Sequence, residues 1–457
     1  MFKKLLAGFC LALCAASASS ITLQGVQNAH DPGTITKDGD TYFNFTTGTG
    51  IWYSQSKDLL NWSVGTRSAV FTTYPAWVTN KVPNFSGSFW APDVIHMNGY
   101  YYIYYSVSTF GTSKSAIGVA RSLSLRNPSW TDLGIVVESY GGSSEINAID
   151  PAVFRDHDGK VYMSYGSFFG GIGVAEINQS TGKLATSVTK VLGGGGVDME
   201  APYITREGDY YYLFANRGAC CKGVDSTYYV EVQRATSVTG PYSGTRTILP
   251  NLDGKYKGPG HVGVLKQDGC NFVSTHYYDM TDNGNPKLDI ARMTYSSGWP
   301  VITRNFTSFA GCGGVSEGTY AFKSRLSGKV MTVAGASSAN GALVQQLTDS
   351  GATYQSWYVI THGANGNYSI INVNSLKSLD DYNNSTTAGT NMAQWDYWAG
   401  NGQTFRFASP AAGYYTVANQ LSGMVLDVKG RSTADYAQII QYTLNNGTNQ
   451  QWALQRR

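Results

Sequence analysis

The sequence predicts an all-β protein in which a five-bladed β-propeller is followed by a β-trefoil domain. Three observations predict it. The 457 residues include 53 glycines and 32 tyrosines, a composition of many turns and many half-buried aromatic strands. One hairpin-like pattern returns five times before residue 280. A Gln-x-aromatic triplet then returns three times, at Gln355, Gln403 and Gln450.

A chain of this length is expected to hold two or more domains. Its formal net charge of +3, with 33 basic and 30 acidic residues, is too weak a bias for a nucleic acid or a membrane surface as partner. The opening MFKKLLAGFCLALCAASASS carries two lysines, an apolar run and Ala16-Ser17-Ala18. It reads as a secretory signal peptide over 1–18, and the mature chain as secreted, extracellular or periplasmic. Cys14 raises a lipoprotein anchor, against which Leu13 is too large a neighbour. No later apolar run reaches about 18 residues, so no membrane span is expected. Without the signal, Cys220, Cys221, Cys270 and Cys312 remain. A vicinal Cys220–Cys221 bridge with a Cys270–Cys312 pair is one arrangement, and free buried thiols are the alternative.

The repeated pattern begins with HDPGTITKDGDTYFNF. It continues in WAPDVIHMNGYYYIYYS, IDPAVFRDHDGKVYMSYGS, EAPYITREGDYYYLFANR and GPGHVGVLKQDGCNFVSTHYYD. The prolines at 32, 92, 151, 202 and 259 are 60, 59, 51 and 57 residues apart. Each unit has a proline beside an ionisable residue, a short strand, a Gly-containing turn and an aromatic strand. Such a period marks a propeller, one unit per blade. Proline fits a strand start, and the NG and DG pairs fit hairpin turns. If each x-Pro-x step opens an innermost strand, Asp31, Asp93, Asp150, Glu200 and His261 approach the central axis, with Asp93 on the far side of its proline. An acid beside a proline also caps a turn by itself. Three such acids at matching repeat positions point instead to one cavity.

Carboxylates crowded at one mouth separate in pKa, which supplies a general acid and a general base. That is the equipment of glycoside hydrolysis. Trp90, Phe110 and Phe168 offer flat faces for sugar rings, whereas most of the tyrosines read as core between blades. His261 stands without a clustered partner, a weak metal signal. There is no Gly-rich phosphate loop.

The motifs HDP, FWAPDV, YYSVSTFGTSKSAIGVA, INAIDPAVF, YGSFFGGI, EAPYI, CCKGVDSTYYV and GPGHVGV resemble glycoside hydrolase family 43, and within it the endo-1,5-α-L-arabinanases. The resemblance runs from about residue 25 to about 300. It implies an inverting hydrolase on a five-bladed propeller. Position by position, it implies Asp31 as general base, Glu200 as general acid and Asp150 as the carboxylate that orients the acid and tunes its pKa. It implies His261 near a central, mostly hydrated metal, often calcium, with no organic cofactor. Trp90 and Phe110 match aromatic walls of the sugar site, and Asn147 and Ser167 its polar contacts. The family's DFCCRG stretch reads NRGACCKG here, so the loop before Cys220 is altered. Inversion leaves room for a water, so acid and base are expected about 6.5–9.5 Å apart.

From about residue 313 the composition shifts to Gly, Ser, Asn and Gln, so the propeller is placed at 19–312 and a second domain at 313–457. The triplet glutamines are 48 and 47 residues apart, and Thr332, Asp380 and Asp427 lie 23 residues before them. Three such units form a β-trefoil, and this one resembles the ricin-type lectins, carbohydrate-binding module family 13. The triplet aromatics read as core. The resemblance implies sugar binding in the third repeat through Asp427, Gln441, Tyr442, Asn449 and Gln450. The second keeps Asp380, Gln394 and Trp395 but has Gly402 in place of Asn449. The first, with Thr332 and Leu347, is expected to be silent.

The leading expectation is a secreted, monomeric, endo-acting arabinanase with an appended lectin module that holds polysaccharide near the catalytic face. An exo-arabinanase, α-L-arabinofuranosidase or β-xylosidase on the same fold is the alternative. A non-catalytic carbohydrate-binding protein is a third class, disfavoured by the presence of all three carboxylates.

Overall fold

The computed structural model describes residues 21–194, 197–309, 313–362 and 366–457. The expected signal peptide lies outside the described residues, as does Cys312 of the expected Cys270–Cys312 pair.

Five sheets follow one another along the first three hundred residues, antiparallel except where the short edge strand Gln24–Gly25 of the first pairs in parallel. Their innermost strands are Thr36–Asp38, Ser88–Met97, Ala152–Arg155, Glu200–Glu207 and Tyr256–Gln267. Each is joined by a tight turn to an aromatic-rich second strand, such as Tyr100–Val107 or Tyr210–Arg217. Asn98-Gly99 and Asp268-Gly269 turn with positive φ at both residues, as the primed hairpin turns require. Aromatic and β-branched side chains fill the seams between blades. Phe43, Phe45, Phe89 and Tyr105 pack between the first and second, and Tyr212, Phe214, Val273 and Trp299 between the fourth and fifth. The ring closes where the N-terminal segment meets the fifth blade. Leu288 donates its N–H to Gln27 at 2.7 Å, and Tyr42 and Trp62 share a core with Phe272 and Leu288.

The second domain is a twelve-stranded β structure running from Gly318–Ser324 to Trp452–Arg456, and these first and last strands pair with each other. The triplet aromatics Trp357, Phe405 and Trp452 are fully buried in its core. It docks on the hairpin turns at the end of the propeller opposite the strand starts. The Ser316 hydroxyl donates to Asp268 at 2.6 Å, Asn98 N–H reaches Tyr358 Oη at 3.4 Å, and the Arg155 guanidinium stacks 3.6 Å from the Tyr358 ring. A cavity of about 180 Å³ lies in this junction, lined by Thr34, Arg155, Lys266 and Tyr358 and by none of the residues expected to be catalytic.

Candidate active site

The five blade starts share one backbone feature. Asp31, Ala91, Asp150, Ala201 and His261 have φ of 45°, 45°, 56°, 51° and 60°. A left-handed conformation at a non-glycine residue costs energy and persists only where the surroundings impose it. Here the imposing contact repeats around the ring, because each of the five N–H groups donates to a side chain of the preceding blade. Asp31 donates to His276 Nδ1 at 3.2 Å, Ala91 to Thr47 Oγ1 at 2.9 Å, Asp150 to Ser106 Oγ at 2.9 Å, Ala201 to Asp150 Oδ2 at 3.0 Å and His261 to Asn216 Oδ1 at 2.9 Å. The ring aims side chains of several blades into one mouth.

These positions correct one part of the sequence reading. The equivalent residues of the second and fourth blades are Ala91 and Ala201, so Glu200 precedes its equivalent position and Asp93 follows its own. Asp31, Asp150 and Glu200 come together, whereas Asp93 turns away. It is buried and accepts the N–H groups of Thr34 and Val153, both at 2.7 Å, so it ties the second blade to the first and third.

The three mouth carboxyls have different surroundings. Asp31 Oδ2 accepts from His30 Nδ1 and Thr47 Oγ1, both at 2.8 Å. Its Oδ1 faces His276 and His261 at 3.5 and 3.8 Å. Burial works to raise the Asp31 carboxyl. The positive charge and hydrogen bond of His30, backed by His261 and His276, outweigh it and hold the group well below the usual carboxylate range. Burial lowers His30, but Asp31 wins and its imidazole is raised. Burial lowers His261 and His276.

Glu200 shows the opposite balance. Burial pushes its carboxyl up to about 6, and the Asp31 charge adds to this against the hydrogen bond that Tyr228 Oη donates to Oε1 at 2.8 Å. Asp150 is raised well above its ordinary value by burial, then by Glu200 and Asp31. One carboxylate is therefore ionised across the working range, while a neighbouring carboxyl keeps its proton into mildly acidic solution. That split is what paired acid and base catalysis needs.

The substrate-contact expectations divide. Phe110 is 82% exposed in the loop after Tyr100–Val107, and Phe168 is exposed in the loop after Val161–Ser167. Both loops lie at the mouth end, and Trp90 is half-buried beside Ala91. Asn147 and Ser167 are buried and bonded to each other at 3.1 Å, with Asn147 Oδ1 accepting from Ser115 at 2.8 Å. They are tied into the packed wall beside Asp150.

Sequence reasoning missed His30, Thr47, Tyr228, His276 and Tyr278. A signal existed for three of them. His30 opens the first repeat, and His276 and Tyr278 lie in THYYD, where an imidazole interrupts an aromatic second strand. Tyr278 Oη pairs with His30 Nε2 at 2.9 Å and accepts the Cys221 N–H at 2.8 Å. Cys220 and Cys221 form the vicinal disulfide, with both sulfurs within 3.9 Å of His30 Nε2.

Calcium fits these residues poorly as a directly ligated ion. It takes six to eight oxygen ligands. Among the described residues, His30, Asp31 and His276 bring ligand atoms within 4.8 Å of one another, and His261 is not part of that cluster. This set supplies two nitrogens and one carboxylate already tied together by hydrogen bonds. An ion beside His261 would be held through its water shell, and no catalytic step is assigned to it.

In the trefoil, Asp427 Oδ2 accepts from Asn449 Nδ2 at 2.7 Å and Gln450 Nε2 at 2.8 Å, and Tyr442 is exposed beside them. Gln441 and Gln450 are fully buried, as Asp427 and Asn449 nearly are. Gln441 bridges the repeats by donating to Ser385 O at 2.6 Å and accepting from Ser422 Oγ at 2.7 Å. Gln394 is bonded in the same way to Ser337 O and Ser375. These glutamines recur because they staple the trefoil. In the second repeat Trp398 Nε1 donates to Asp380 Oδ2 at 3.2 Å, taking the place of the missing Asn, while Trp395 remains partly exposed. Thr332 of the first repeat is buried against Gln355.

Residues 25–300 match the family model for glycosyl hydrolases family 43. The chain belongs to this family. Residues 305–395 and 401–457 of the family 43 hydrolase match the ricin-type β-trefoil lectin domain. The propeller is 39% identical over 302 residues to an extracellular exo-α-(1→5)-L-arabinofuranosidase of Cellvibrio japonicus, covering 60% of this chain and 86% of the relative. It is also 39% identical over 286 residues to an extracellular endo-α-(1→5)-L-arabinanase of Bacillus subtilis, covering 59% and 86%. Among solved structures, an α-L-arabinanase of Cellvibrio cellulosa complexed with arabinohexaose superposes with a TM-score of 0.57 at 36% identity, covering 61% of this chain and 96% of that one.

Proposed function

We propose that this family 43 hydrolase is a secreted, monomeric arabinanase that cleaves α-1,5-L-arabinofuranosyl linkages with inversion and in endo fashion. The observation that carries the reading is the placement of Asp31 and Glu200 in one mouth with opposite surroundings, which hold one carboxyl below its ordinary range and raise the other above it. The relatives named above support the substrate, and their description as extracellular supports secretion.

In this reaction Asp31 takes a proton from water on one face of the sugar. Its Oδ2 is occupied by His30 and Thr47, so Oδ1 is the basic atom. Glu200 protonates the leaving oxygen on the other face. Tyr228 donates to Oε1, which leaves Oε2 to carry the acid proton. Asp150 accepts the N–H of Ala201, the residue after Glu200, and so fixes the backbone that carries the acid.

Exposed Phe110 and Phe168 at the mouth suit stacking of sugars beyond a single unit, which supports the endo mode. The exo mode is the second reading, favoured by equal identity to the exo-acting relative. Product analysis on linear 1,5-α-arabinan separates them. A ladder of mixed oligomers is expected, and arabinose or one short oligomer alone would establish exo attack.

The trefoil is proposed to tether polysaccharide through the third repeat, with Asp427 and Asn449 as polar contacts and Tyr442 as the stacking face. In affinity electrophoresis through polysaccharide, Tyr442→Ala is expected to lose most of the retardation. Hydrolysis of a short soluble oligomer should stay within about twofold of wild type, because the trefoil docks at the end opposite the catalytic mouth.

A further inference from the structure

The three trefoil repeats can be laid over one another through their fully buried glutamines, and one core position then breaks the pattern. Val333 and Val428 occupy it in the first and third repeats, and both are fully buried. The second repeat has Asp381, which is 0% exposed. Neither oxygen of its carboxyl has a hydrogen-bond partner in another residue. A carboxylate sealed in a protein without a partner is among the most costly groups to bury, and the neutral acid would still leave a donor and an acceptor unmet.

A second oxygen faces the same space. Gly402 stands where the third repeat has Asn449. A Cβ at Gly402 would lie 2.6 Å from Asp381 Oδ1 and 2.7 Å from Asn384 Oδ1, so both oxygens converge on the volume that the missing side chain leaves. The local backbone does not require these residues. Asn383 and Asn384 have φ of 65° and 52°, matching Gly430 and Arg431 in the third repeat at 65° and 53°. The nearest charged group is Asp380, which adds negative potential. Asn384 itself is exposed at the surface.

We propose that Asp381 and Asn384, beside Gly402, form a binding site for a hard divalent cation of the calcium class. The site offers oxygen donors without nitrogen or sulfur, which selects against soft transition metals. The carboxylate and the amide oxygen supply the protein ligands, and water completes the shell. The site lies in the trefoil and is separate from the catalytic mouth. Its role is to neutralise a charge that the second repeat has built into its core.

The test is thermal unfolding of the full chain after EDTA dialysis, with and without calcium, for wild type, Asp381→Val and Asp381→Asn. Calcium at about a hundredfold above its Kd is expected to raise the trefoil transition of wild type by about 5–10 °C. Neither variant should show that shift. Asp381→Val, which restores the residue of the other repeats, should melt above wild type when both are in EDTA. A calcium shift that persists in folded Asp381→Asn or Asp381→Val would place the ion elsewhere and overturn the proposal. No shift in wild type would overturn it as well.

Discussion

Glu200→Gln is expected to lower kcat on arabinan by about 10²–10⁴-fold, the range general acid catalysis supplies. The amide keeps the shape and can still accept from Tyr228 Oη, so KM should move little. The leaving group distinguishes loss of the acid from general damage. An aryl glycoside of an arabinose oligomer departs as a stable phenolate and needs little protonation. On that substrate the variant should lose far less than on arabinan, and an equal loss on both would count against Glu200 as the acid. The pH profile gives a second readout. Burial pushes the Glu200 carboxyl up to about 6, so the protonated form disappears as pH rises through that value. In wild type, kcat/KM should fall with a limb near pH 6, and this limb should be absent from the residual activity of Glu200→Gln.

Asp31→Asn is expected to lower kcat by a similar factor, about 10²–10⁴-fold, but equally on arabinan and on the aryl glycoside, because water must be activated in both. Its linkage to pH has the opposite sign. The folded-state carboxyl is held below its unfolded value, so the ionised base persists as pH falls below the ordinary carboxylate range. Wild type should therefore show no acid limb from Asp31 near pH 4, and activity there should be limited by folding. The substitution also removes the charge that raises the His30 imidazole. In an NMR titration His30 should then lose its proton at lower pH than in wild type. A His30 titration unchanged by the substitution would show that the Asp31–His30 pair does not set the charge of this base.

Much of the site was legible because a propeller converts sequence period into spatial convergence. Asp31, Asp150 and Glu200 lie one or two residues before prolines that recur every 51 to 60 residues, and any ring of five hairpins brings such positions to one axis. What the period does not contain is the offset within each unit. The fourth blade places Ala201, not Glu200, at the left-handed position, and the second places Ala91 there and sends Asp93 into the wall. A shift of one or two residues on a bulged strand changes the face on which a side chain emerges. The trefoil glutamines illustrate the same limit. Gln394 and Gln441 recur at the spacing of a binding motif, yet their amides are consumed by backbone carbonyls of neighbouring repeats.

Read alone, the sequence determined the fold class, the number of repeats in each domain, the three mouth carboxyls and the Cys220–Cys221 neighbourhood. These depend on residue type and period, which a linear string contains in full. Only the tertiary structure decided which carboxyl is ionised. The charge of Asp31 depends on His30, His261 and His276, and the last two are more than two hundred residues away along the chain. The proton on Glu200 depends on burial beneath other blades. The unpartnered carboxyl of Asp381 likewise became visible only once its neighbours were in place. Protonation state and hydrogen-bond satisfaction belong to an environment assembled from distant segments, and a residue's identity does not carry them.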